Sequence, residues 1–312
     1  MYLQPKLPVS CPRPFPPKPR QLPCGKRMTI AIGVLADNGI VVAADTEESD
    51  GYLKSSQSKI RVSSASAVIG VWSGPGQSLP EPSPMSDVAV SAIAGAGTGP
   101  YIDVLSGELW QWCLANASAP SDKVINGLTE IIGRFYAKHI VPFALFPPNE
   151  RPEVALLIAL AGVSAAPQDR HRLFSSWLTV VDQEVPYKAI GAGDTFAKIL
   201  LDRLYPSDRV PNLRAAVLLA AYVAFHVKEN VPSCGKFTDI LFIGNGGRVH
   251  SYVPWNVVRD LETIFLKHAR LEGKAVDYMF AAERGESLKS LRRSFQSFRT
   301  DFDRINFESL GL

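Results

Sequence analysis

Cysteine is scarce in this chain, four in 312 residues, and acidic residues are missing from its first 27 positions. So few thiols exclude a disulfide-knit secreted mini-domain. Long apolar runs are lacking too. The two longest, Val154 to Val163 and Ala215 to Phe225, fall short of the ~18 residues a membrane-spanning helix needs, so no membrane partner is expected. Metal-ligand spacing is also absent. The five histidines, 139, 171, 226, 250 and 268, are scattered, with neither a His-Glu-x-x-His pattern nor paired cysteines. Nor is there a basic stripe in the body. The formal net charge is +3, but Lys6, Arg13, Lys18, Arg20, Lys26 and Arg27 all lie in the opening segment, and setting those six aside leaves 27 basic against 30 acidic residues. A nucleic-acid-binding face would show the opposite bias, and no such partner is expected.

What is present begins with proline. Eight of the first 27 residues are Pro, which removes helix-compatible backbone and any hydrophobic period, so residues 1–28 are expected to be disordered. No apolar core of a signal peptide occurs there, and the expected location is cytoplasmic. Three histories fit the segment: a disordered tail, a pro-segment that is removed, or sequence upstream of a start at Met28. From Thr29 the character changes. Thr29 to Ala36 and Ile40 to Asp45 are β-branched, apolar runs flanking Asp37-Asn38-Gly39, the strongest short-range hairpin signal. With Asn38 and Gly39 as the loop, Ile32 is expected to face Asp45.

Further along, Gly70 to Ser86 is rich in Gly, Pro and Ser and is expected to be a loop. Two amphipathic helices follow, on Ile102, Leu105, Leu109, Trp110 and Cys113, then on Val124, Leu128, Ile131, Ile132 and Phe135. Strands are expected over Glu153 to Val163 and Ser175 to Val181, helices from Phe196 to Leu204 and Leu213 to Val227, and a strand pair at Thr238 to Ile243 and Arg248 to Val253. Charged helices over Asn256 to Arg270 and Ser287 to Phe302 close the chain. Strands and helices in alternating groups predict an α+β fold, specifically a four-layer αββα sandwich. The expected division is a Pro-rich segment 1–28, a main domain 29–255 and a helical extension 256–312.

Thr29-Ile30-Ala31-Ile32-Gly33, Asp37 through Asp45 with its Ala43-Ala44-Asp45 end, Gly51-Tyr52 and Lys59-Ile60 together resemble the start of proteasome β-type subunits and their bacterial relatives. The resemblance is strong over 29–60 and looser through about 245. It implies an N-terminal-nucleophile hydrolase fold and a threonine-type peptidase or amidohydrolase. The Thr29 hydroxyl would attack an amide carbonyl, and its own α-amine, with a pKa near ~8, would take the proton. Lys59 would lower the pKa of that hydroxyl and amine, and Asp45 would hold Lys59 charged. The same resemblance puts the oxyanion donor at Gly95, before the first long helix, with Gly74 as a competitor, and an apolar pocket floor at Ile93. It matches Ser233 to a supporting serine, but Ala192 stands where an assisting serine is expected and Asn230 where an Asp is. It implies no metal or organic cofactor, a peptide or amide substrate, and assembly into a homo-oligomer.

Two rivals remain. Ala192, Asn230 and the residues ahead of Thr29 suit a catalytically silent scaffold of the same fold. Gly191-Ala192-Gly193-Asp194-Thr195-Phe196 also resembles the glycine-rich turn of ribokinase-like sugar kinases, where helix amides bind phosphate and the Asp is a base. Taken singly, Thr29, Asp45 and Lys59 are a strand threonine, a strand-end carboxylate and a surface lysine; their ordered spacing carries the reading.

Overall fold

The computed structural model describes residues 29–49, 54–64, 89–147, 150–162, 169–232, 234–235, 237–244 and 249–281, with 293, 296–301 and 304–305 near the C-terminus. The opening segment 1–28, Gly51-Tyr52, the expected Gly70 to Ser86 loop with Gly74, Ser233 and most of the Ser287 to Phe302 helix lie outside the described residues.

In chain order the strands are β1 (Ile30–Ala36), β2 (Gly39–Asp45), β3 (Glu47–Ser49), β4 (Lys54–Ser56), β5 (Ile60–Ser64), β6 (Val90–Gly97), β7 (Val154–Ala161), β8 (His171–Trp177), β9 (Val180–Glu184), β10 (Tyr187–Gly191), β11 (Thr238–Gly244) and β12 (Val249–Tyr252). The α-helices are α1 (Gly99–Ala115), α2 (Ser121–His139), α3 (Asp194–Leu204), α4 (Leu213–Asn230) and α5 (Trp255–Ala281), with a 3-10 turn at Val141–Phe143. One five-stranded sheet runs β10-β1-β2-β11-β12 and the other β5-β6-β7-β8-β9, all neighbours antiparallel; β3 and β4 pair only with each other.

Period-two alternation assigns the strand faces. Ile30, Ile32 and Val34 of β1 join Val217, Ala220 and Ala224 of α4 and Leu201 of α3 in one apolar cluster. Ala31 points the other way, into a cluster that joins Val42 and Leu241 to Ala92, Leu157 and Leu173 of the second sheet. On β6 and β7, Ile93, Leu156 and Ile158 pack with Leu105 and Leu109 of α1 and Leu128 and Phe135 of α2. The near all-round apolar α4 is buried on several sides, because both α3 and α5 pack on it as well as β1, β2 and β11.

The expected four-layer αββα sandwich is corrected to an α+β arrangement in which the described residues form two antiparallel five-stranded sheets with the helices α1 to α5 and the 3-10 turn. The chain does not confine itself to such layers. The β3–β4 ribbon is hydrogen-bonded to neither large sheet, and α5 packs on α4 as well as on β11. Glu262 anchors that long helix, accepting hydrogen bonds from Lys228 Nζ on α4 and from Thr238 Oγ1 on β11, the latter at 2.9 Å.

The hairpin register also differs from expectation. The loop residues are Asp37 and Asn38, and Gly39 opens β2 opposite Ala36, so Ala43 rather than Asp45 faces Ile32. Gly39 is a strand glycine because a Cβ there would lie 2.4 Å from the Ile243 carbonyl oxygen. No helix among the described residues is long and apolar enough to cross a membrane.

His226 on α4 gives this core a pH dependence. Its ring lies 4.2 Å from that of Tyr222 and 5.1 Å from that of Phe225, and its Nε2 is buried without a hydrogen-bond partner among the described residues. Burial, aided by His268, lowers its pKa below 6.5 against the opposing pull of Glu272 and Glu229. The folded state therefore binds that proton less readily than the unfolded chain, and stability falls as pH drops below about 6.5. Burial and Arg170 lower His171 in the same direction. Urea unfolding at pH 7.5 and 5.5 should show a fall in midpoint that His226→Phe reduces and, because His171 remains, does not remove.

Candidate active site

Three elements bring the expected polar residues together. Thr29 immediately precedes β1, Asp45 ends β2 alongside it, and Lys59 immediately precedes β5 of the other sheet. Thr29 Oγ1 donates to Asp45 Oδ1 at 2.6 Å, and Lys59 Nζ donates to the same Thr29 oxygen and to Asp45 Oδ1 at 2.8 Å. The ammonium is completed by the Glu47 carbonyl oxygen at 2.6 Å. Asp45 is fully buried, and its carboxylate collects further backbone donors: Ile30 N–H on Oδ1 and Gly235 N–H on Oδ2, each at 3.1 Å. A buried carboxylate is tolerable only when so compensated. The Lys59 side chain keeps 11% exposure and Thr29 4%.

The backbone of Thr29 is fixed from the other side. Its carbonyl accepts the Ala192 N–H at 2.8 Å, just after β10. Gly191 has φ +104°, and a Cβ there would stand 2.0 Å from the Thr29 carbonyl oxygen, so both conformation and space demand glycine. That same Cβ position is 3.3 Å from Ala96 Cβ, which brings β6, one residue past Gly95, up to the Thr29 backbone. Position 192 thus contributes an amide where the sequence reading looked for a hydroxyl.

The remaining expected residues divide. Gly95 lies within β6 opposite Leu156, four residues before α1, and a Cβ on it would meet Ile102 Cγ2 at 2.2 Å; no hydrogen bond joins it to the Thr29 cluster. Ile93 points away from that cluster into the apolar contact with α1 and α2, so it is a core residue and not a pocket floor. Asn230 is exposed and returns its side-chain amide to the His226 carbonyl at 2.8 Å, four residues back on its own helix. Ser233 lies outside the described residues. Next to it Cys234 is buried, without the exposure a reactive thiol needs, and Gly235 supplies the Asp45 contact that sequence reasoning missed. A Cβ on Gly235 would lie 2.4 Å from Glu47 Oε2, the movable end of that side chain.

The sugar-kinase resemblance finds no support in this setting. Its Asp194 is exposed at the start of α3, accepts from its neighbour Thr195 at 3.0 Å, and follows an edge strand of an antiparallel sheet. Among the described residues no three His, Cys, Asp or Glu side chains converge on a possible metal. Chemically, the Thr29 cluster is a hydroxyl held between one cation and one anion, which orients its oxygen lone pairs and stabilises developing negative charge on that oxygen.

The sequence matches no family model and no curated protein. Solved structures do resemble this fold. A Gly-1 mutant of Anbu from Hyphomicrobium sp. strain MC1 superposes with a TM-score of 0.56 at 16% identity, covering 80% of this chain and 99% of its own. Anbu, described as an ancestral beta-subunit, from Yersinia bercovieri gives a TM-score of 0.55 at 15% identity, with 83% and 100% covered. At such identity these likenesses show the fold alone. Membership of the proteasome β-type family, which the N-terminal motifs led us to expect, is corrected accordingly: no family model matches and the shared identity is too low to carry it.

Proposed function

We propose that this protein is a threonine-type hydrolase of peptide or other amide bonds, active in the form whose first residue is Thr29. The observation that carries the reading is the meeting of Thr29, Asp45 and Lys59 around one hydroxyl oxygen. In the first half-reaction the α-amine takes the Oγ1 proton while the oxygen bonds to the substrate carbonyl carbon. The tetrahedral centre collapses, the C–N bond breaks, and the departing amine carries away the proton. Water, deprotonated by the same α-amine, then cleaves the threonine ester and restores the hydroxyl. Lys59 stabilises negative charge on the attacking oxygen and Asp45 keeps the ammonium aimed at it.

Gly95 N–H is our assignment for the oxyanion donor, and Ser233 for support of the amine. The catalytic unit is residues 29–255 with 256–312 as a helical extension, and the likeness to a beta-subunit favours a homo-oligomer. The silent-scaffold reading is kept by two observations: residue 192 offers an amide only, and Asn230 is turned back along α4.

The test is adduct mapping. Protein expressed from its native gene is weighed intact, and a form beginning at Thr29 is treated with an epoxyketone or β-lactone. Mass increase at Thr29, lost in Thr29→Ala, is the expected result. A folded sample beginning at Thr29 that takes up no label would establish the scaffold reading instead.

A further inference from the structure

Lys59 has no place in a ladder. It precedes β5, whose pairing with β6 starts at Ile60 opposite Ala94, and β5 is the outermost strand of its sheet. An outermost strand leaves part of its backbone without ladder partners, and a residue just before it can wander. Yet the ammonium of Lys59 meets three oxygens from Thr29, Asp45 and Glu47. Something must hold the chain on either side.

Tyr252, on β12 of the other sheet, does so. Its phenol donates to the Ile60 carbonyl oxygen at 2.9 Å, the residue after Lys59. The phenol also interacts with the side chain of Ser58, the residue before Lys59, and the Ser58 hydroxyl reaches the same Ile60 carbonyl at 3.4 Å. Burial, more than the neighbouring Asp239, holds the phenol pKa above 10, so it remains a hydrogen-bond donor at neutral pH. On the far flank, Gln57 N–H donates to the Thr46 carbonyl at 3.0 Å.

We propose that Tyr252 is a positioning residue: by bracing Ser58 and Ile60 across the two sheets it holds the intervening Lys59 ammonium on the Thr29 hydroxyl. The inference rests on the hydrolase reading for its functional meaning, while the brace itself can be measured without any turnover. Tyr252→Phe keeps the ring and removes the donor; Ser58→Ala removes the second hydroxyl from the same carbonyl.

Competitive acylation of lysines in the full chain, with Lys188 and Lys267 as internal references, reads the effect. In Tyr252→Phe the labelling rate of Lys59 should rise roughly fivefold with the references unmoved, and less in Ser58→Ala. In the form beginning at Thr29, kcat for an amide substrate should fall roughly tenfold with KM nearly constant. Unchanged Lys59 labelling in Tyr252→Phe overturns the proposal whatever the activity. Raised labelling in a protein whose Thr29 takes no adduct upholds the brace and defeats the hydrolase reading alone.

Discussion

Replacing Asp45 by Asn is expected to cost about 3 kcal/mol of stability and, in the form beginning at Thr29, about a thousandfold in amide hydrolysis. The change is nearly isosteric, so packing is not the cause. The native carboxylate is fully buried and accepts from Thr29 Oγ1, Ile30 N–H, Lys59 Nζ and Gly235 N–H. Asn offers one acceptor oxygen where two were used, and its amide must then face a donor. Lys59, 11% exposed, loses its anion, and a nearly buried cation without one is the expensive half of a broken pair. Urea unfolding measures the first effect and amide turnover the second. Wild-type stability in the variant would mean that the carboxylate is not holding the ammonium.

Arg172→Met should have a comparable effect on stability, about 3 kcal/mol, for a reason unrelated to chemistry. Arg172 sits in β8 opposite Leu160 with 1% exposure. Its guanidinium donates to the carbonyl of Ala119 at 2.5 Å and to that of Ala117, both in the connection between α1 and α2, and stands 5.9 Å from the centre of the Phe174 ring. Met fills similar volume and recovers the cost of burying charge, yet strands two carbonyls. Arg172→Lys should regain only part of the loss, because a single ammonium lacks the fork that spans both. A urea midpoint equal to wild type in Arg172→Met would refute this role.

What could be read from the amino-acid order alone follows the range of the interactions. The β1–β2 hairpin was legible because alternation and a turn are local signals, while Thr29, Asp45 and Lys59 were picked out by the resemblance of their surrounding motifs to proteasome β-type subunits. The two helices α1 and α2 were legible from local signals too, through their 3.6-residue period. The turn slipped by one position because Gly39 serves close strand packing against Ile243 and not the bend. Helix α5 runs on to Ala281, past the expected Arg270, since Leu271 to Ala281 contains good helix formers and no proline. The short strand β10 was overlooked, although its end fixes the Thr29 carbonyl. Gly235, Tyr252 and Arg172 were illegible: each acts on a group between 53 and 192 residues away, and nothing in their own neighbourhoods marks the partner.

That separation bears on when the Thr29 cluster is completed during synthesis. Gly235 N–H closes on Asp45 across 190 residues, and Tyr252 on Ile60 across 192. Contacts of such span form late, after most of the polypeptide has left the ribosome. A nascent or truncated product that stops before Gly235 therefore lacks both the backbone donor on Asp45 and the phenol on the Ile60 carbonyl, and the Thr29 cluster is completed only with the last strands.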